Sequence, residues 1–235
     1  RLRCVTGVQT CALPIFPFRL LSLTAISGEF PTSQLNRLPA SPYYLEAVVT
    51  ALKKAGLLRT YYRDRLRGYR LGAKAKLVLL DGWPERFTFC LTGDAETNRL
   101  KSEANRRFRL HRLAETYITM GNAGVLLYPD EKPKVFAQTG FGGEAVTYPV
   151  FYSSREVKEL GADATQIRSS RFAGVLLVPT GIFVTYNSGS ALMKWRYKSE
   201  LRVKTLLWNI LCQQRLASPY PSKLGKLFCL FYLIN

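Results

Sequence analysis

Apolar positions along the chain fall into short helical and strand-like runs, separated by Gly, Pro and polar turns. Residues 20–26 form a short apolar helical segment that Gly28 ends in the manner of a C-terminal cap. Pro31 and Thr32 open a second short helix through Leu35 and Leu38. Ser41-Pro42 then pairs an N-cap residue with proline at the first helical position, and Leu45, Val48, Val49 and Leu52 follow at i, i+3, i+4 and i+7. That spacing predicts a third helix, closed by Gly56. Residues 57–62, rich in β-favouring side chains, read as a strand. Residues 63–68 read as a polar turn, residues 69–71 as the short returning strand, and residues 74–80 as a fourth helix.

The pattern then changes. Residues 82–93, with Gly82, Trp83 and Pro84, read as a connector in which Phe87, Phe89 and Leu91 point to partial packing. Asp94 N-caps a long predicted helix to Met120, with Leu100, Ala104, Phe108, Leu110, Ala114, Tyr117 and Ile118 on its apolar side and Gly121 at its end. Lys101, Asn105, Arg109 and Arg112 fall opposite, as one basic stripe. Residues 124–128, 146–152, 171–178 and 182–186 read as strands, the last two joined in a hairpin through Pro179-Thr180-Gly181. Ser154 caps a short helix, residues 192–198 read as a further strand, and a final helix runs over residues 199–211. The fold class expected is α+β, with an N-terminal unit over residues 19–81, the connector, and a mixed α/β domain over residues 94–216.

Charge adds the first functional constraint. The 235 residues carry 34 Lys+Arg against 16 Asp+Glu, a formal net charge of +18, which favours a polyanionic partner. The five Cys (Cys4, Cys11, Cys90, Cys212 and Cys229) have no C-x-x-C spacing and His111 is the only histidine, which excludes a zinc finger and leaves one residue for any histidine-dependent nucleophilic scheme. The longest apolar stretch, residues 224–234, is too short to span a bilayer and contains Lys226. A cytoplasmic protein with no membrane partner, no cofactor and no resident metal is the expectation.

The order of helices, hairpin and following helix in residues 20–80 resembles a winged helix-turn-helix. The resemblance is carried by residues 51–59 (ALKKAGLLR) and 68–75 (GYRLGAKA), which are similar to the helix-to-wing passage of that family. It implies that the third helix enters the major groove of double-stranded DNA and that the wing tip lies on the backbone or minor groove. The overall plan also resembles the replication-relaxation type proteins of bacterial plasmids and conjugative elements, which implies a role in replication or mobilisation of such an element, with a homodimer or other mobile-element proteins as further partners. Residues 5–15 (VTGVQTCALPI) resemble a translated sequencing adapter, so residues 1–18 are expected to be a non-native leader. Residues 217–235 are expected to be a tail, either native or a frame error.

The residues that bear the expected chemistry cluster in the first unit. Residues 53–76 hold Lys53, Lys54, Arg59, Arg63, Arg65, Arg67, Arg70, Lys74 and Lys76 against Asp64 alone, a net +8. Interleaved Tyr61, Tyr62 and Tyr69 supply donors and stacking faces beside phosphates. On the third helix, the side opposite the apolar stripe carries Tyr43, Ala47, Thr50 and Lys54, the candidates to meet DNA. A transcriptional regulator with a C-terminal sensor or dimerisation domain is one alternative. The other is a metal-dependent DNA nuclease, for which Asp130-Glu131-Lys132 and Glu156-Val157-Lys158 offer D-x-K and E-x-K spacing, with Glu103 as a further ligand. There the catalytic candidates are Asp130, Glu156 and Lys158. Residues 140–143 (GFGG) lack the Gly-Lys-Ser/Thr ending of a phosphate loop.

Overall fold

A computed structural model describes residues 14–93, 103–133, 147–158, 172–179, 181–187, 197–198, 201–202, 205 and 227–232, the last stretch as backbone. The fold is mixed α+β and divides into two compact units, Arg1–Ala114 and Glu115–Asn235.

The first unit is organised around helix α1, Ile15–Ser27, whose residues 20–27 are all buried. A helix buried on every side must satisfy its polar side chains internally. Thr24 and Ser27 do so by donating their hydroxyls to the carbonyls of Leu20 and Leu23, at 2.7 and 2.6 Å. The helix starts at Ile15 rather than at Leu20, and Phe18 packs its ring against Trp83 at 4.4 Å and Phe87 at 6.3 Å. Gly28 ends it in the left-handed region, φ 86°, returning its N–H to Thr24. That reversal delivers Glu29 and strand β1, Phe30–Pro31, to the sheet. No hydrophobic run marks so short a strand, and its existence depends on its partner.

A 3-10 turn, Thr32–Arg37, leads to α2, Pro42–Lys54, which buries Leu45, Val48, Val49 and Leu52 as their spacing predicts. Ser41 caps it, accepting the Tyr44 N–H at 3.3 Å. Strands β2, Leu58–Arg63, and β3, Leu66–Leu71, form an antiparallel hairpin in register from Leu58↔Leu71 to Arg63↔Leu66, and β1 pairs with the far side of β3. The turn is shorter than the expected residues 63–68: Asp64 and Arg65 alone make it, both left-handed at φ 53° and 58°. Leu66, Arg67 and Gly68 belong to the strand, pairing with Arg63, Tyr62 and Tyr61 of β2, and Gly68 also stands opposite Pro31 of β1. Helices α3, Ala73–Gly82, and α4, Pro84–Leu91, follow. The segment expected as a connector is therefore helical: Pro84 restarts the chain in helix, and Phe87, Cys90 and Leu91, at i, i+3 and i+4, bury against the α1 side of the unit.

Helix α5, Ala104–Asn122, contains the division between the units. Its buried side is Arg107, Leu110, His111, Ala114, Tyr117 and Ile118. Leu110, Ala114, Tyr117 and Ile118 are buried as expected, whereas Phe108, expected inside, is 46% exposed and Arg107 takes the interior position beside it. The Asp94 cap, Leu100 and Lys101 lie outside the described residues.

In the second unit β4, Val150–Ser153, α6, Ser154–Lys158, β5, Phe172–Val178, β6, Gly181–Asn187, and β7, Leu227–Tyr232, complete the described elements. The sheet order is β4-β5-β6-β7, antiparallel except for the parallel β6–β7 pair. The β5–β6 hairpin follows the expected positions, while residues 124–128 contribute only an isolated bridge, Leu126 to Val150, in place of a strand. Residues 227–232, within the expected tail, form β7. The expected strand 192–198, final helix 199–211 and glycine loop 140–143 fall wholly or largely outside the described residues.

Because α2 lacks any acidic residue in its first turn, the Ser41 hydroxyl carries its N-terminal capping. Ser41→Ala is expected to lower stability by about 1 kcal/mol and Ser41→Asp to retain it, read as shifts in the urea midpoint at constant slope.

Candidate functional site

The first unit presents two exposed basic surfaces and one buried ionic cluster that supports them. Tyr43, Ala47, Thr50 and Lys54 lie at i, i+4, i+7 and i+11 on α2, all exposed, with Lys53 beside them. Arg59, Arg63, Arg65 and Arg67 are exposed on the hairpin, and Lys74 is exposed at the start of α3. Asp64 reaches Arg63 at 3.7 Å, both side chains being about half exposed, an ion pair of small energetic weight. Arg70 departs from the expected set. It is 3% exposed and turned inward, so it is not available as a DNA contact.

The cause is Glu29. Side chains alternate along strands, so the register sets Pro31, Gly68, Tyr61 and Arg70 on one face of the sheet and Phe30, Tyr69, Leu58 and Leu71 on the other. The second face packs into the apolar core. The first carries the fully buried Glu29 carboxylate, which accepts from Arg70 Nε at 2.7 Å and from Arg107 Nε at 3.1 Å to each oxygen. His111 Nε2 lies 2.8 Å from its Oε1. Arg107, also fully buried, turns its remaining N–H groups to the hairpin, donating to the carbonyls of Arg63 at 2.6 Å, Leu66 at 3.0 Å and Tyr61 at 3.4 Å. The Tyr61 ring lies against both guanidinium groups, with its centroid 3.9 Å from Arg70 Cζ and 4.7 Å from Arg107 Cζ.

Gly68 is required here. A Cβ at that position would stand 2.6 Å from Glu29 Cγ, and the glutamate cannot yield because its carboxylate is held from three sides. Burial alone pushes the Glu29 carboxyl up. The hydrogen bonds from His111, Arg107 and Arg70 outweigh that and bring it from the ordinary 4.5 down to about 2.

Glu29 and Arg107 were not among the residues singled out from sequence, and His111, singled out only as the one histidine a nucleophilic scheme could use, is here a partner of the Glu29 carboxylate. Two signals mark them: Glu29 is the only acidic residue in the first 45, and Arg107 and His111 stand at i and i+4 in phase with the apolar stripe of Leu110, Ala114 and Ile118.

The second unit brings two of the expected nuclease fragments together, in a structural arrangement. Lys132, 8% exposed, donates to Glu156 Oε1 at 2.6 Å, while Glu156 Oε2 accepts from the Ser153 N–H at 2.7 Å and hydroxyl at 2.8 Å. With the Glu156 N–H 3.4 Å from the Ser153 hydroxyl, this is a capping box at the start of α6. Glu156 is thus occupied by the helix it begins. Asp130 is exposed on a 3-10 turn, Glu103 is exposed before α5, and Lys158 ends α6. Among the described residues no group of three or more His, Cys, Asp or Glu is placed to hold a metal ion, and no helix is long and apolar enough to cross a membrane. Comparison with protein-family models, with curated proteins and with solved structures finds no match to this chain.

Glu29 makes stability depend on acid. Its folded value is depressed, so its contribution is complete above pH 4.5 and is lost as pH falls toward 2, amounting to roughly 3 kcal/mol across that window. Glu29→Gln is expected to lower stability at pH 7 by about 3–5 kcal/mol, since two buried guanidinium groups lose their counter-charge, and to remove this part of the acid dependence. Urea titrations from pH 7 to 2 read both effects, and parallel curves for the two proteins would contradict the assignment. Gly68→Ala is expected to destabilise by more than 2 kcal/mol in the same assay.

Proposed function

We propose that the protein binds double-stranded DNA through its first unit, as a winged helix-turn-helix protein that serves replication or mobilisation of a bacterial mobile element. The element order supports the first part: helix, two-residue strand, 3-10 turn, capped helix, hairpin, with the sheet ordered β1-β3-β2. The mobile-element role is carried by the resemblance of the plan to replication-relaxation type proteins.

The observation that carries DNA binding is the hairpin tip. Arg65 occupies a left-handed position, φ 58°, where glycine or asparagine is at ease and arginine costs about 1 kcal/mol. Strained backbone of this kind is retained where the side chain is needed. Arg63 and Arg67 flank it, exposed, and Tyr62 stands opposite Arg67 on the outward part of the ribbon. A two-residue turn bearing one guanidinium group, with two more on the strand ends beside it, suits capture of phosphates along a duplex edge. The exposed face of α2 then meets the groove, with Ala47 and the Thr50 methyl suited to thymine methyls and Lys53 and Lys54 to phosphate.

A salt series of fluorescence-anisotropy titrations on duplex DNA with the full chain tests this. Affinity is expected to fall steeply with salt, and joint replacement of Arg63, Arg65 and Arg67 by Ala to reduce the log–log slope by roughly 2–3. An unchanged slope in a folded variant would remove the hairpin from the interface. Arg65→Gly separates strain from function: stability is expected to rise by up to about 1 kcal/mol while affinity falls, measured by thermal melting beside anisotropy.

A further inference from the structure

Arg107 lies deep in the first unit, fully buried, yet three of its bonds end on the backbone of the most exposed element. The carbonyls it holds, Tyr61 and Arg63 on β2 and Leu66 on β3, bracket the Asp64-Arg65 turn from both strands. The planar fork of a guanidinium can hold a carboxylate and several carbonyls at once in fixed directions, which an ammonium cannot. Glu29 fixes the fork in turn, and Tyr61 closes one side of it. A hairpin with β2 at the sheet edge would otherwise be free to sway about its base, and that freedom would be lost on binding a rigid duplex.

We propose that Arg107 is a positioning residue for nucleic-acid binding: anchored on Glu29, it fixes the direction of the hairpin tip before DNA arrives, so that Arg63, Arg65 and Arg67 engage phosphates with little ordering loss. Arg107 itself, being buried, touches no phosphate. This inference rests on the DNA-binding reading above, and the test separates the two.

Salt-series anisotropy is measured on the full chain for the wild type, Arg107→Lys and Arg65→Ala, with hydrogen exchange of the amides of residues 61–68. Arg107→Lys is expected to bind about tenfold more weakly with an unchanged salt slope and faster hairpin exchange, whereas Arg65→Ala lowers the slope by about 0.9. Loss of affinity without loss of slope is the signature of a lost preorganisation rather than a lost phosphate contact. If Arg107→Lys binds within twofold of the wild type, or if it lowers the slope as Arg65→Ala does, the inference is overturned while the DNA-binding reading stands. If the wild type shows no salt-dependent binding, that reading fails and takes the inference with it. Should Arg107→Lys not fold, exchange in the wild type decides. Amides of residues 61–68 already protected without DNA support the positioning role, and protection gained only with DNA overturns it.

Discussion

Burying a carboxylate without water is unfavourable by several kcal/mol, and the first unit contains one, Glu29, at zero exposure. The charge is tolerable only if Arg70, Arg107 and His111 arrive together, and these lie 41, 78 and 82 residues further along the chain. Strand β1, the hairpin and α5 therefore satisfy one another or none of them is satisfied. This explains why the first compact unit extends to Ala114. It also explains how the hairpin sheet is covered on the face that carries Arg70 as well as on the one that packs into the apolar core. Where an apolar layer would ordinarily sit, an ionic layer does, with the Tyr61 ring laid across its two guanidinium groups.

That arrangement divides the arginines of the hairpin and of α5 beneath it into two populations. Arg70 and Arg107 are spent on the interior, and their charge reaches solvent only weakly. Arg59, Arg63, Arg65 and Arg67 remain outside, where their charge is available to a partner. Counting charges along residues 53–76 treats all of these alike and so overstates the surface by the inward arginine. Yet the inward residues do not subtract from the outward field in any simple way, since the buried Glu29 is matched by two buried guanidinium groups, while on the surface Arg63 has Asp64 at 3.7 Å.

Elements whose signals are local were legible in the sequence. The Ser41-Pro42 cap with the Leu45, Val48, Val49 and Leu52 spacing gives α2, and the β-rich run beside a polar tip gives the hairpin. The Gly28 cap and the β5–β6 hairpin follow in the same way. What local rules missed depends on distant partners. Two residues, Phe30 and Pro31, become a strand only because the far edge of β3 is open to them, and Gly68 is in the strand, rather than in the turn, because the tight Asp64-Arg65 turn lets the ladder with β2 run to Arg63↔Leu66. On α5 the expected side holds at Leu110, Ala114, Tyr117 and Ile118 and fails only at Phe108: an aromatic residue is ordinarily the better candidate for burial than an arginine, but Arg107 wins the interior through Glu29. Of the expected contact residues only Arg70 is drawn inside, and for the same reason.

The fates of the two structural glutamates carry the comparison between an interaction surface and a reaction centre a step further. Glu29 and Glu156 are each saturated by donors, the one by guanidinium and imidazole groups, the other by Lys132 and the cap of α6. A carboxylate held by three or four donors is a poor general base and a poor ligand, because its lone pairs are already committed. Both glutamates are thus occupied by the architecture around them. The same economy appears at the hairpin in reverse. The tip keeps a strained Arg65 exposed, while carbonyls on both sides of it accept from the buried Arg107. On the proposed reading, the exposed tip is the part that meets an anionic duplex, and the Glu29–Arg107 cluster beneath it is the part that holds the hairpin backbone.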